Sequence, residues 1–309
     1  MTTDNRPEFL LMSGGEAMLH PQLVRRIAEH ARHIGARTYV LSGMFFAKSR
    51  RIPSAIRSAI LAVDHFSASM DVFHEQEVPR KAVFRVLRQL LDEGTDVSLQ
   101  IVGLGPDDPY LSDLVNDVRT TFDDRVPMFV AGVAPQGRAR DWFTREQQTH
   151  PPVQQTPCSL AAWPVVGFDG NVTACGNQDV MDGNVPMPPH LLLGNILVDD
   201  WAIIKERCLS SPMVRALRTV GPQYLARNLG GRVCSGYCET CWLLSEDPSV
   251  PSQVARVADE PRTRALEVAT ELVTAEAGPV AFARQWGIAR YAELVLLGLS
   301  EQERARCHA

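Results

Sequence analysis

No cysteine occurs before Cys158; all seven lie at or beyond that position. The first half of the chain therefore has no thiols from which to build a disulfide or a thiolate metal site. A basic surplus is also missing. The net charge is −5 at pH 7, which argues against nucleic acid as a partner, because a phosphate-backbone binder needs a positive surface. No apolar run is long enough to cross a bilayer; the stretch around residues 294–299 is short and interrupted, so no membrane association is expected. The opening MTTDNRPEFLLM has Asp4 and Glu8 where a secretory signal carries basic residues, so a cytoplasmic location is expected. There is no internal repeat and no low-complexity tract. Seven cysteines, an odd number, fit metal or catalytic use in a reducing compartment better than a disulfide framework.

What remains is an ordinary globular composition, with 45% hydrophobic and 22% charged residues in 309. That length predicts one large domain and a smaller second module. From residue 9 to 133, short β-like runs (9–12, 38–41, 65–70, 97–102 and 127–133) alternate with amphipathic stretches. Leu23, Val24, Ile27, Ala28, Ala31 and Ile34 recur at helical spacing up to Gly35. Val83, Val86, Leu87, Leu90 and Leu91 do the same before Gly94. This β-α rhythm implies parallel strands with right-handed crossovers, in an open sheet or a full or partial barrel. Sites are then expected at the strands' C-terminal ends, here SGGE, SGM, SMD and AGV. Residues 136–157 read as a linker. The expected domains are 1–150, 151–250 and a helical tail, 251–309, broken at Gly278-Pro279.

The second module carries the chemistry. Cys158 and Cys175 straddle Asp169-Gly170, a tight hairpin signal, in the spacing Cys-x11-Gly-x4-Cys. Cys234, Cys238 and Cys241 follow some sixty residues later. Two distant clusters of thiols converging on one center is how a tetrahedral sulfur site is built, and Cys-x2-Cys lets one turn present two of them. Zinc and an iron-sulfur cluster accept the same donors, and spacing alone does not separate them. Cys208 and Cys307 stand alone and read as small buried hydrophobes.

Residues 11–19, LMSGGEAML, resemble the GGEP strand end of radical S-adenosylmethionine enzymes, with Ala17 in place of proline. In the family's order there follow Val40-Leu41-Ser42-Gly43, then the run from Ser67 through Ser69 and Asp71 to His74, then Arg80 and Gly137-Arg138-Ala139. The hairpin cysteines with Gly194-Asn195-Ile196 are similar to the opening of SPASM and twitch domains. The resemblance spans residues 10–242. It implies an α/β fold: a partial (β/α) TIM-like barrel lacking its first strand, then a small cysteine-rich SPASM/twitch-like domain and a helical tail. It implies that Gly14, Gly15 and Glu16 meet the amino group of S-adenosylmethionine, Ser69 its ribose and Arg80 its carboxylate, with Asp71 and Ser42 as further candidates. His74 is left out of this set.

The same resemblance implies an auxiliary 4Fe-4S cluster on Cys158, Cys175, Cys238 and Cys241, with Cys234 able to replace one of them. It implies a peptide or small-molecule substrate and an electron donor such as flavodoxin or ferredoxin. The family's Cys-x3-Cys-x2-Cys loop upstream of GGE has no counterpart here. A core 4Fe-4S cluster is thus expected only if an N-terminal extension exists, and the alternative is a degenerate relative. Without that loop the sequence predicts an unpaired edge at the first strand. Cleavage of S-adenosylmethionine to a radical that abstracts hydrogen is the expected activity of an intact form. The competing expectation is a noncatalytic iron-sulfur or zinc binding protein.

Overall fold

The computed structural model describes residues 1–135, 137–143, 156–300 and 303, and it divides into two compact units, Met1–Ala134 with Ala277–Ala309, and Pro135–Glu276. Cys307 lies outside the described residues, as does most of the expected linker.

The first unit holds β1 (Phe9–Met12), α1 (Pro21–Ile34), β2 (Arg37–Ser42), α2 (Ser54–Ile60), β3 (His65–Met70), α3 (Val72–Glu77), α4 (Arg80–Asp92), β4 (Asp96–Gly103), α5 (Pro109–Phe122) and β5 (Met128–Gly132). All five strands are parallel and paired in chain order, forming a curled half-barrel sheet. The helices follow from local sequence. Pro21 occupies the first turn of α1, Val24, Ala28, Ala31 and Ile34 are buried along one stripe, and Gly35 ends it at φ 79°. Leu23, expected on that stripe, is instead exposed, one position off the buried face.

The two faces of the sheet differ. Val40, Phe66, Ala68, Met70, Leu99 and Ile101 point into the main core. The opposite face is polar and half-buried: Tyr39 stacks on His65 at 4.9 Å, His65 Nε2 lies 2.7 Å from Ser98 Oγ, and Ser98 donates to Ser67. Parallel sheets ordinarily read as apolar on both faces, so this alternation marks the concave inner wall of the half-barrel. It also predicts a pH effect. Burial lowers the pKa of His65, with Asp96 opposing. Below about pH 6.5 the unfolded chain binds a proton that the folded chain refuses, so stability falls as pH drops through that range. The His65→Gln variant is expected to show a flatter dependence of the urea midpoint between pH 7.5 and 5.5; an unchanged slope would contradict this.

β1 is the outer strand, with Phe9 and Leu11 exposed. The other edge is covered by the chain's return: the Ile288 N–H donates to Val130 O of β5 at 2.8 Å, and Tyr291 packs into the main core.

The second unit contains a small antiparallel sheet, β6 (Val165–Val166), β7 (Asn171–Thr173) and β8 (Leu192–Asn195). Its helices are α6 (Gln178–Met181), α7 (Trp201–Ser210), α8 (Pro212–Leu229), α9 (Tyr237–Leu243) and α10 (Ser249–Val257). The hairpin turns over residues 167–170, closed by Gly170 N–H on Gly167 O, with Gly170 at φ 82°. Its loop is longer than the two-residue turn that Asp169-Gly170 predicts, because the strands stop at Val166 and Asn171.

α11 (Pro261–Trp286) breaks at Gly278, φ 63°, before Pro279, where the sequence expected it. The tail is not a third module, however. Its residues up to Glu276 belong to the second unit, where Glu267 pairs with the buried Arg215 of α8 at 2.8 Å, and those from Ala277 belong to the first. Among the described residues, no helix is long and apolar enough to cross a membrane.

Candidate functional site

Four of the five clustered cysteines of the second unit lie within electrostatic reach of one another. Cys158 is anchored when its N–H donates to Leu217 O of α8 at 2.9 Å. Cys175 follows β7, and Thr173 Oγ1 donates to its carbonyl at 2.7 Å. Cys238 and Cys241 are three residues apart on α9, hence on one helix face.

Their proximity is legible in the charge each feels. The Cys241 thiol is pushed well above its ordinary range by burial and then by Cys158, Cys175 and Cys238. Cys238 is pushed up to about 12 by burial and then by Cys158 and Cys175. Cys158 is pushed up to about 11 by burial and then by Cys175, and Cys175 is raised by burial. Cys234 is absent from the charges acting on Cys241. Its backbone is instead clasped by Thr240, whose Oγ1 accepts from Cys234 N–H at 3.0 Å.

Against burial, the Ala161 and Leu160 N–H groups pull the Cys158 thiol back down, the Asn177 N–H does the same at Cys175, and the Asn177 side chain at Cys238. Asn177 also caps α6, its Oδ1 accepting from Asp179 N–H at 3.1 Å. His190 Nε2 lies 3.7 Å from Cys241 Sγ, and burial pushes this histidine down to about 4, leaving a neutral imidazole.

Half-buried thiols beside N–H groups are a donor set for thiolate ligation, since the N–H groups favor the charged sulfur that burial alone disfavors. Among the described residues, no three His, Cys, Asp or Glu side chains close around a point where one metal ion would sit. Tetrahedral zinc at about 2.3 Å from each sulfur would draw the sulfurs to roughly 3.8 Å of one another. The donor chemistry fits a thiolate-bound group.

A second grouping lies at the C-terminal ends of β1, β2 and β3 in the first unit. Glu16 Oε1 accepts from Met18 N–H, capping the short turn Ala17–Leu19. Its Oε2 accepts from Gly43 N–H at 2.8 Å and Ser42 Oγ at 3.1 Å. The His74 ring packs so closely on Gly43 that a Cβ there would meet it at 3.2 Å, and Glu16 Oε2 at 3.4 Å. His74 Nδ1 lies 2.6 Å from Asp71 Oδ2, while Asp71 Oδ1 caps α3. Glu16, Ser42 and Asp71 are thus joined through Gly43 and His74. Gly14, at φ 131°, and Gly15 border open space, and Ser69 is half-buried on the inner face.

Arg80 sits differently from the expected carboxylate-binding arginine. Its Nε and Nη2 donate to Glu75, and its Nη1 donates to Asp113 and Asp117. These three carboxylates tie together α3, α4 and α5, and a fourth would have to displace one of them.

Several contributors escaped the sequence reading. His74 was visible only as a lone histidine, and nothing near His190 or Thr240 signals their packing. Asn177, two residues after Cys175, carries a helix-cap signal but no hint of its reach toward Cys238. Compared with known proteins, no family model and no curated protein matches the chain.

Proposed function

We propose that the second unit binds an iron-sulfur cluster through Cys158, Cys175, Cys238 and Cys241, and that the chain is a radical S-adenosylmethionine family protein for which this cluster is auxiliary. The observation that carries the reading is that four half-buried thiols from two remote stretches feel one another's charge. Such a cluster, when bound, supplies one-electron transfer.

The chain's own residues do the rest. Partial burial holds the free thiols protonated, so loading releases protons. Leu160, Ala161 and Asn177 favor the sulfurs as thiolates. In the half-barrel, Gly14, Gly15, Glu16, Ser42 and Ser69 form the proposed contact surface for S-adenosylmethionine. The carboxylate of Glu16 is offered to the sulfonium nucleoside's amino group, and Asp71 holds His74 beside it. Arg80 is left out of this set because its guanidinium already serves Glu75, Asp113 and Asp117. The substrate is a peptide or small metabolite, and a flavodoxin or ferredoxin supplies electrons.

A second reading is a noncatalytic iron-sulfur binding protein that uses the same four thiols. Anaerobic reconstitution of the full chain with ferrous iron and sulfide tests the common core. Broad visible absorption with equal iron and sulfide is expected, and a colorless product that retains zinc would overturn it. Calorimetry with S-adenosylmethionine separates the two readings. Binding that is weakened about tenfold or more in Glu16→Gln supports the family reading, whereas no binding leaves the noncatalytic one.

A further inference from the structure

One further polar side chain of the second unit faces the sulfurs. His190, in the loop before β8, has its Nε2 3.7 Å from Cys241 Sγ and its Nδ1 2.5 Å from Ser245 Oγ. Contacts run from Ser245, just past α9, through the imidazole to the Cys241 thiol. We infer that His190 is a positioning residue that donates its Nε2–H to the Cys241 sulfur and so raises the reduction potential of the cluster held there, with Ser245 fixing the tautomer. This rests on reading the four cysteines as cluster ligands.

The roles follow from hydrogen-bond inventory. A neutral imidazole has one N–H and one lone pair, and a serine hydroxyl serves either. With the Ser245 hydroxyl donating to Nδ1, the ring proton is left on Nε2, aimed at sulfur. The arrangement differs from ligation, because Nε2 lies at hydrogen-bonding distance from a sulfur that itself belongs to the donor set. Reduction adds negative charge that spreads onto the ligand sulfurs. A dipole aimed at one of them stabilizes the reduced form more than the oxidized form, and the potential rises.

The test is an electron-paramagnetic-resonance-monitored redox titration of the reconstituted full chain. His190→Phe is expected to keep the same iron and sulfide content while the ratio of reduced to oxidized cluster at a fixed applied potential falls about tenfold, which is about 59 mV for one electron. His190→Gln, whose amide N–H reaches near the Nε2 position, is expected to restore most of the difference, and Ser245→Ala to give a partial fall. An unchanged potential in His190→Phe with a full cluster would overturn the inference alone. So would loss of iron from a chain whose circular dichroism is unchanged, because that would make His190 a ligand. Should His190→Phe not fold, His190→Gln and Ser245→Ala decide it: the inference stands if Ser245→Ala lowers the potential while His190→Gln keeps it near the unsubstituted value, and falls if Ser245→Ala leaves it unmoved. Failure of the unsubstituted chain to take up a cluster would instead remove the reading beneath it.

Discussion

Cys241→Ser is expected to abolish cluster uptake, leaving no visible absorption above that of the protein alone and iron content near background after anaerobic reconstitution. The reason lies in how the four thiols share one environment. The charges of Cys158, Cys175 and Cys238 all act on Cys241. A serine hydroxyl there is a poor ligand for iron, and the remaining three sulfurs leave an edge of any cubane unheld. Cys208→Ser is the matched control. Cys208 is buried at the end of α7, where Arg218 donates to its carbonyl, and it takes no part in the group of four. Iron and sulfide content equal to the unsubstituted chain is expected for it, and also for Cys234→Ser, since Cys234 is not among the charges acting on Cys241. Full cluster content in Cys241→Ser, or its loss in Cys234→Ser with the fold intact, would reassign the ligand set.

Much of the first unit was legible because its signals are local. Val24, Ala28, Ala31 and Ile34 repeat at helical spacing and are buried together, and Gly35 and Gly94 stand at positive φ where the chain must leave a helix. The five strands fall within a few residues of the apolar runs that announce them. What the sequence hid is non-local. Nothing in the run from Ser67 to His74 says that the His74 ring will press on Gly43 from another strand end. Nothing around Arg80 says that Asp113 and Asp117, on a later helix, will claim its guanidinium.

The tail was read as a module of its own because an alanine- and leucine-rich stretch after a cysteine knot carries no mark of where it packs. Its division at Gly278 emerges only when Ile288 returns to the edge of β5. The cysteine site lies between these cases. Two clusters and a hairpin turn were visible as spacing, but the separation of Cys234 from the others depends on Thr240, a buried hydroxyl that bonds to Gln223 and Gly236 as well as to Cys234.

The residue that brings the two halves of that site together is a glycine in the middle of a helix, and Gly221→Ala is expected to be the most damaging single-methyl change in the chain. α8 is interrupted at Gly221, whose φ of 76° and ψ of 165° lie in a region that only glycine occupies comfortably, and Pro222 restarts the helix. A Cβ there would stand 1.9 Å from Thr156 O and 3.0 Å from Tyr237 Oη. Those two atoms are themselves joined, because the Tyr237 hydroxyl donates to Thr156 O at 2.7 Å. Thr156 leads into Cys158, and Tyr237 begins the helix that carries Cys238 and Cys241. The vacancy at Gly221 is thus where the two cysteine-bearing segments are fastened.

Backbone strain of order 1–3 kcal/mol and overpacking of typically 1–3 kcal/mol together predict a loss of about 2–6 kcal/mol, with cluster uptake lost even where the rest of the second unit stays folded. Gly183→Ala separates the two terms. Gly183 also has positive φ, 71°, but faces open space, so its variant carries only the backbone strain and is expected to keep full iron content. Equal thermal midpoints and equal iron content for the two variants would show that the close approach at Thr156 and Tyr237 does not hold the site together.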